Sequence, residues 1–203
     1  EIAGQFSLPA PAAACLLRRA RGEQLDAWLA PTRDHLHDPY AMLGLDAAVE
    51  RLRRAVRDRE SVRIVTDYDV DGTTSSLILQ GALRLLGAGD QLSYHIPDRF
   101  DEGYGFSPKA AARAVADGVG LVVTADIGVR DHPAVSAAAV GGVDVIVCDH
   151  HLPDGEAVPA DAFAVLCPPR PECSYPNPAL AACGVSLKLA QALLADHPKY
   201  DAI

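Results

Sequence analysis

Short aliphatic and β-branched runs alternate along the chain with longer segments in which apolar residues recur every three or four positions. The short runs predict buried strands at 62–66, 92–96, 121–124, 143–148 and 162–166. The longer segments predict helices at 46–59, 73–86, 108–117, 132–139 and 184–195. Asp46 is expected to cap the first of these helices. This alternation predicts an α/β fold: a doubly wound, mainly parallel sheet with helices on both faces.

The first 44 residues lack such a pattern and are rich in Ala, Pro and Arg. We therefore expect an N-terminal arm with short helices over 1–44 and one α/β domain over 45–203. No apolar run approaches the roughly 20 residues that cross a bilayer, so we expect a soluble, cytoplasmic protein. The chain starts at Glu1 with no charged-then-apolar leader, which indicates a boundary rather than a secretion signal.

Acidic residues and histidines directly follow three of the predicted strands. They are the run 67–72 (DYDVDG), Asp126, and the run Asp149-His150-His151. The carboxyl ends of parallel strands meet at one edge of a sheet, so these side chains are expected to lie close together. Carboxylates held that close repel one another unless they are protonated or bound to a cation. The pattern therefore predicts a metal site at this edge.

The acidic run after the first strand has two candidate ligands. Asp67 and Asp69 are two residues apart, so both side chains can face one metal cluster. Gly72 would allow a tight turn before a helix that opens at Thr73, and the start of that helix could hold a phosphate. The alternatives are an acidic turn with a helix cap, or a calcium loop. A calcium loop needs Glu at position 78, which is Ile78 here.

The other two runs complete the predicted cluster. Asp126 lies between the other two runs along the chain and could bridge two metals, although a turn Asp before Gly128 would serve equally well. His150 and His151 are adjacent and should point in different directions. One could bind metal while the other faces the substrate, and Asp149 could orient a histidine.

Charge and cysteines set limits on function. The formal net charge of −9 argues against nucleic-acid binding, because such proteins usually carry a basic footprint. Bound divalent ions would reverse the local sign at a carboxylate cluster, so the charge leaves that function open. The five cysteines are scattered and odd in number, which predicts free thiols in a reducing compartment.

The order of these motifs resembles the DHH phosphoesterase family, which is named for its Asp-His-His run. The intervening segment 96–106 (IPDRFDEGYGF), with 36–40 (LHDPY) and 170–173 (RPEC), resembles its branch of single-strand-specific DNA exonucleases. The resemblance extends from about residue 28 to 194. It implies 5′→3′ hydrolysis of phosphodiester bonds in single-stranded DNA, in DNA repair and recombination. It also implies two Mn²⁺ or Mg²⁺ ions, and a monomer that works with a single-strand-binding protein and a helicase.

The resemblance also implies roles for individual catalytic residues. Asp67 and Asp69 would bind one ion each, Asp126 would bridge the ions, and His150 would be a further ligand. His151 would contact or protonate the substrate, and Arg99 would hold a DNA phosphate, because a guanidinium can bind two phosphate oxygens. Three residues would support the site: Asp71, Gly72 and Asp149. Two loop aromatics, Tyr104 and Phe106, could stack on bases or simply pack.

This chain departs from the family pattern in three ways. The family has a fourth metal-binding Asp in a segment beyond the last predicted helix, so we expect the catalytic domain at 45–203 to be incomplete at its C-terminal end. Members of this branch also carry a second catalytic-half domain and a nucleic-acid-binding module, which we expect to lie outside the 203 residues. Cys167-Pro168 stands where relatives have Asn-Pro.

Two alternative functions remain. One is another DHH hydrolase acting on short RNA, cyclic dinucleotides or polyphosphate. The other is a metal-free DNA-binding scaffold, which would be expected to have lost the ligands that are all present here.

Overall fold

A computed structural model of the chain describes residues 2–19, 25–98, 100, 102–155 and 157–198. The chain divides into two compact units, Glu1–His37 and Asp38–Ile203. This division falls at residue 37, whereas the arm expected from the sequence ends at 44; that domain assignment stays a prediction. Among the described residues, no helix is both long and apolar enough to cross a membrane.

The described residues of the first unit form short helical elements. They are α1 (Ile2–Gln5), α2 (Ala10–Arg19), α3 (Leu25–Leu29) and a 3₁₀ turn at Arg33–His35.

The second unit alternates helices and strands. After a 3₁₀ turn at Pro39–Ala41, its elements are α4 (Leu45–Arg57), β1 (Val62–Thr66), α5 (Val70–Leu85), a 3₁₀ turn (Gly89–Gln91), β2 (Leu92–His95), α6 (Pro108–Ala116), β3 (Leu121–Ala125), α7 (His132–Val140), β4 (Asp144–Cys148), β5 (Ala164–Leu166) and α8 (Ala182–Leu193). The five predicted strands and five predicted helices are therefore all present, and no end shifts by more than three residues.

The strands form one parallel sheet in the order β2-β1-β3-β4-β5. Val62 of β1 pairs with Leu92 on one side and Leu121 on the other. The strand order reverses direction between β1 and β3, and in open parallel sheets ligands bind at the carboxyl ends of the strands beside such a switch point. The fold thus places a crevice where the sequence puts its acidic residues.

Both faces of the sheet are covered by helices. Alternate strand residues face opposite sides, and the buried side chains accordingly form two clusters. Ile64, Val123 and Ile146 pack in the cluster that includes α4, α5 and α8. Val122 and Val147 pack in the cluster that includes α6 and α7. The predicted doubly wound α/β fold is confirmed, and burial on both faces explains why the strands read as continuous apolar runs.

Two predicted helix starts are wrong. The N-cap of α4 is Gly44, with a left-handed φ of +88°, and not Asp46, which lies inside the first turn. Helix α5 begins at Val70, three residues before the predicted start, because Asp69 caps it by accepting a hydrogen bond from the Gly72 N–H at 2.9 Å. The segment after Asp69 is therefore helical, which excludes the calcium-loop alternative.

Candidate metal centre

Three loops at the carboxyl edge of the sheet bring the predicted residues together. Two groups of side chains each have potential ligand atoms that all lie within 4.8 Å of one another. The first group is Asp67, Asp69 and Asp126, and the second is Asp126, His150 and His151. Asp126 belongs to both groups, so it occupies the position at which one carboxylate could contact two ions.

Asp126 is held in an unusual backbone conformation. Its φ is +67°, in the left-handed region that Asp tolerates better than most residues that carry a side chain. Its backbone N–H donates to the Cys148 carbonyl at 2.9 Å, which ties the end of β3 to the end of β4. The side chain is buried, and its Oδ1 lies 3.1 Å from Nε2 of His150. The loop is thus shaped to present this carboxylate to the neighbouring strand.

The electrostatics of the cluster indicate that a cation is needed. Burial, together with the charges of Asp71 and Asp69, raises the pKa of Asp126 to about 8. Oδ1 of Asp67 is buried and has no hydrogen-bond partner among the described residues. Carboxylate oxygens with an imidazole form a donor set that suits Mn²⁺ and Mg²⁺. A divalent ion would contact the orphaned oxygen and offset the carboxylate repulsion, so the residues fit the implied metal.

Asp149 fixes the position of His151. Its Oδ1 lies 2.7 Å from Nδ1 of His151, and Oδ2 accepts a hydrogen bond from the Val129 N–H at 2.9 Å. Burial acts to raise the pKa of Asp149, but the hydrogen bonds from His151 and Val129 hold it below its usual value. The pKa of His151 is raised, chiefly by the hydrogen bond to Asp149, against the effects of burial and of the Arg130 charge. Nε2 of His151 is therefore the ring nitrogen left for a ligand or substrate.

The two histidines have different partners although their ring centroids are only 4.6 Å apart. Nε2 of His150 lies 3.1 Å from Asp126 and 3.6 Å from Asp71, whereas His151 turns to Asp149. The side chains of His150 and His151 thus point in different directions, as expected of adjacent residues at a strand end. Nε2 of His150 faces the carboxylates of Asp126 and Asp71, so it could bind an ion held there.

Asp71 links the site to the last helix. Its carboxylate accepts hydrogen bonds from the N–H groups of Ala182 at 2.9 Å and Cys183 at 2.7 Å. These are the first two residues of α8, whose own N-cap, Ala181, has no side chain that could cap it. Burial acts to raise the pKa of Asp71, but these hydrogen bonds lower it overall. Asp71 therefore anchors the start of α5 on α8.

Gly72 lies against the backbone of Asp67. A Cβ atom at this position would lie 2.5 Å from the Asp67 carbonyl oxygen. The sequence pattern predicted a turn at Gly72, but the structure places it in the first turn of α5. Glycine is required here because the helix crosses close to the backbone of a candidate ligand.

The loop between β2 and α6 contributes Tyr104. Its hydroxyl lies 3.4 Å from Nε2 of His151 and 3.4 Å from the Asp126 carbonyl. Phe106, by contrast, is buried, and its backbone N–H donates to Asp131 at 2.7 Å, so the stacking considered for Phe106 is wrong. Arg99 lies outside the described residues.

The sequence reasoning missed one charged residue at this edge. Arg130 follows Asp126 by four residues, and its Nε donates to the Leu152 carbonyl at 2.7 Å, directly after His151. The sequence did offer one indication of Arg130: it is a positively charged residue in the loop that directly follows Asp126, a candidate ligand at the end of a strand.

Fold and site together define the class: a doubly wound α/β protein with a carboxylate and histidine cluster at its switch point, suited to divalent metal ions. The DHH family, N-terminal domain, matches residues 61–202. The chain belongs to the DHH family.

Individual relatives agree with this assignment. The chain is 44% identical over 158 residues to the single-stranded-DNA-specific exonuclease RecJ of Dickeya dadantii. It is 40% identical over 162 residues to RecJ of Bacillus subtilis. These alignments cover 77% and 80% of this chain but only 27% and 20% of the relatives. The chain thus spans about a quarter of the length of the curated relatives that it matches.

Solved structures match over the same region. A crystal structure of exonuclease RecJ bound to manganese superposes with a TM-score of 0.66 and 32% identity, covering 77% of this chain and 39% of that one. RecJ of Thermus thermophilus in complex with Mn²⁺ superposes with a TM-score of 0.69 and 26% identity, covering 97% of this chain and 26% of that one. The parallel sheet and its helices are therefore those of a DHH domain.

Proposed function

We propose that this chain carries the metal-binding catalytic part of an exonuclease that degrades single-stranded DNA from 5′ to 3′ in DNA repair and recombination. The observation that carries the proposal is the pair of ligand groups that share Asp126. The relatives named as single-stranded-DNA-specific exonucleases support the choice of substrate. The RecJ structures bound to manganese support the choice of metal.

The two ligand groups support a set of metal ligands. Asp67 and Asp69 would hold one Mn²⁺ or Mg²⁺ ion each, Asp126 would be the ligand shared by the ions, and His150 would complete the set on the β4 side. Such ions neutralise phosphate charge and lower the pKa of an attacking water toward neutrality. Asp71, Asp149 and Gly72 keep the ligands in place through the contacts described above.

The remaining site residues act on the DNA. His151 is held through Nδ1 by Asp149, so that Nε2 is left to contact the phosphate or give a proton to the leaving 3′ oxygen. Water attacks phosphorus in line with that oxygen, and the bond from phosphorus to the 3′ oxygen breaks. Arg99 holds a DNA phosphate, and Tyr104 lies where a base or sugar would pass His151. We expect a cytoplasmic monomer that works with a single-strand-binding protein and a helicase.

The test is Asp126→Asn in the full-length protein, which removes the shared carboxylate with little change in shape. Release of nucleotides from 5′-phosphorylated single strands with Mn²⁺ should fall by at least about 10³-fold, because binding of both ions is impaired. Asp117→Asn, which removes a carboxylate after α6, is the control and should retain activity. Nuclease activity in Asp126→Asn equal to that of the control would contradict the assignment.

Two further measurements separate the alternatives. A panel of single-stranded DNA, short RNA, cyclic dinucleotides and polyphosphate distinguishes an exonuclease from other DHH hydrolases. Calorimetry with Mn²⁺ distinguishes all of these enzymes from a metal-free DNA-binding scaffold, which would bind no Mn²⁺.

A further inference from the structure

A small recess lies beside the metal centre, next to His151. It has a volume of about 20 Å³, room for about one water molecule, and it opens to solvent. Its lining includes Tyr104, Arg130, Asp131, Asp149 and His151. His151 is the one residue that the recess shares with the two ligand groups. A group bound at the mouth of the recess would therefore touch His151 without displacing the carboxylate ligands.

Arg130 is held in the wall of this recess through one nitrogen. Its Nε donates to the Leu152 carbonyl at 2.7 Å and lies 3.5 Å from Oδ1 of Asp154, a carboxylate that is 72% exposed. Its two Nη groups make no hydrogen bond with any residue that the structure describes. The Arg130 side chain is half exposed, so both Nη groups remain available to a ligand.

The charges around the recess show what kind of ligand this would be. Arg130 is the one arginine or lysine among the described residues that line it. The two carboxylates in the lining, Asp131 and Asp149, already accept hydrogen bonds from the N–H groups of Phe106 and Val129. Guanidinium groups bind phosphate oxygens in a two-pronged arrangement that a lone ammonium cannot reproduce. A cation beside a carboxylate-rich centre is well suited to a ligand whose own charge is negative.

We propose that Arg130 is a substrate-binding residue that holds a phosphate of the nucleic-acid strand at the open mouth of this recess, beside His151. The inference rests on the proposed function, because that function supplies the phosphate-bearing strand. It adds a binding contact that is independent of the metal ligands and of Arg99. The contact would orient the strand relative to Nε2 of His151.

The experiment compares Arg130→Gln and Arg130→Lys with Arg57→Gln in the full-length protein. Arg57 lies at the end of α4 and pairs with Asp58 at 3.0 Å, so it is a matched arginine away from the site. Binding of a 5′-phosphorylated single strand with hydrolysis-resistant phosphorothioate linkages is measured by anisotropy in Mn²⁺ across a salt series. Calorimetry measures Mn²⁺ affinity in the same variants.

Arg130→Gln should weaken strand binding by about tenfold, the size of one charge-assisted contact. The slope of log affinity against log salt should become shallower by about 0.7, the value for one phosphate contact in a single strand. Arg130→Lys should recover the salt slope but only part of the affinity. Mn²⁺ affinity should stay unchanged in every variant.

Strand affinity and salt slope equal to those of the Arg57→Gln control would overturn the proposal, and so would a loss of Mn²⁺ affinity in Arg130→Gln. The failure of the proposed function looks different. If the proposed function fails, the wild-type protein binds the strand but does not hydrolyse ordinary single-stranded DNA. Strand binding by Arg130→Gln, compared with that by Arg57→Gln, still tests the role of Arg130.

Discussion

The two ends of the same parallel sheet both carry buried charged residues. At one end these charges are paired within the chain, and at the other they are not. At the amino edge, Arg51 is almost fully buried, with 4% of its side chain exposed, and it is paired with Glu60 and Asp144. At the carboxyl edge, Asp67 and Asp126 are equally buried, yet no arginine or lysine of the described residues pairs with either of them.

The amino edge satisfies its charges within the chain. Nε of Arg51 donates to Asp144 at 2.6 Å, while Nη1 and Nη2 donate to Glu60 at 3.2 and 2.6 Å. Nη2 also reaches the Gly120 carbonyl at 3.4 Å, and the guanidinium lies 6.0 Å from the centre of the Phe163 ring. Helix α4 is thereby tied to the starts of β3 and β4. This edge needs no partner beyond the chain.

The carboxyl edge leaves its charges unbalanced. Asp67 has an orphaned oxygen and Asp126 a pKa raised to about 8, both of which cost folding free energy. The difference teaches that buried charge alone does not mark a functional site in this fold. What marks it is buried negative charge that no cation of the described residues compensates and that the proposed divalent ions would offset.

The largest expected effect on stability tests the self-contained edge. Arg51→Met should lower the free energy of unfolding by about 3 kcal/mol, because it leaves Glu60 and Asp144 without their partner. The cost lies at the lower end of the range for buried pairs, since 41% of the Asp144 side chain keeps contact with water. Urea unfolding measures it, and Mn²⁺ affinity should stay as in the wild type because the metal centre lies at the other edge.

Arg51→Lys is the matched variant for this edge. It keeps the positive charge but cannot donate to both carboxylates with a planar fork, so about 1 kcal/mol of the loss should remain. A change in Mn²⁺ affinity in either variant would break the proposed separation between the two edges of the sheet.

The next effect tests how tightly the carboxyl edge is built. Gly72→Ala would place a Cβ atom 2.5 Å from the Asp67 carbonyl oxygen, and backbone cannot rotate away as a side chain can. We expect a loss of about 2 kcal/mol in the free energy of unfolding. Displacement of Asp67 should also weaken Mn²⁺ binding at least about tenfold, as measured by calorimetry.

Gly81→Ala is the control in the same helix. No atom lies within 4 Å of a Cβ added there, so only the higher helix propensity of alanine should act. Stability should rise by about 0.5–1 kcal/mol with unchanged Mn²⁺ affinity. Equal effects of the two substitutions would show that the close approach of α5 to Asp67 is unimportant for the site.

The sequence predicted the sheet well because its strands are buried on both faces and therefore read as plain apolar runs. It also predicted that Asp67, Asp126 and His150 would meet, because parallel strands bring their carboxyl ends to one edge. The spacing of apolar residues and the parallel order of the strands were sufficient for these two predictions. Both predictions depend on residue type and order along the chain and not on the conformation of any loop.

The remaining features depend on contacts between residues far apart in the chain. Asp71 holds the start of α8, more than a hundred residues away, and no local pattern indicates this. The early start of α5 follows from Asp69 acting as its cap, although the acidic run reads equally well as a loop. Arg130 was missed because its interest lies in its closeness to His151. That closeness depends on the path of the loop after β4, which no pattern around Arg130 itself indicates.

The last of the three main predictions applies the comparison to one carboxylate. Asp126→Asn should raise the free energy of unfolding of the metal-free protein by at least about 1.4 kcal/mol at pH 8, the equivalent of one pKa unit. It removes a buried, unbalanced charge, and Asn tolerates the left-handed φ of +67° that Asp126 adopts. Excess Mn²⁺ should reverse the order, since only the wild type gains full stabilisation from bound ions.

The pH dependence of this difference identifies its cause. The pKa of Asp126 is about 8 in the folded protein and about 3.9 in an unfolded chain, so ionising this group favours unfolding. Below about pH 4 the carboxyl is protonated in both states, and the two proteins should be equally stable in EDTA. The advantage of Asp126→Asn should then grow as the pH rises and level off near pH 8. A difference that stays constant from pH 4 to 8 would mean that packing, and not uncompensated charge, separates the two edges at this residue.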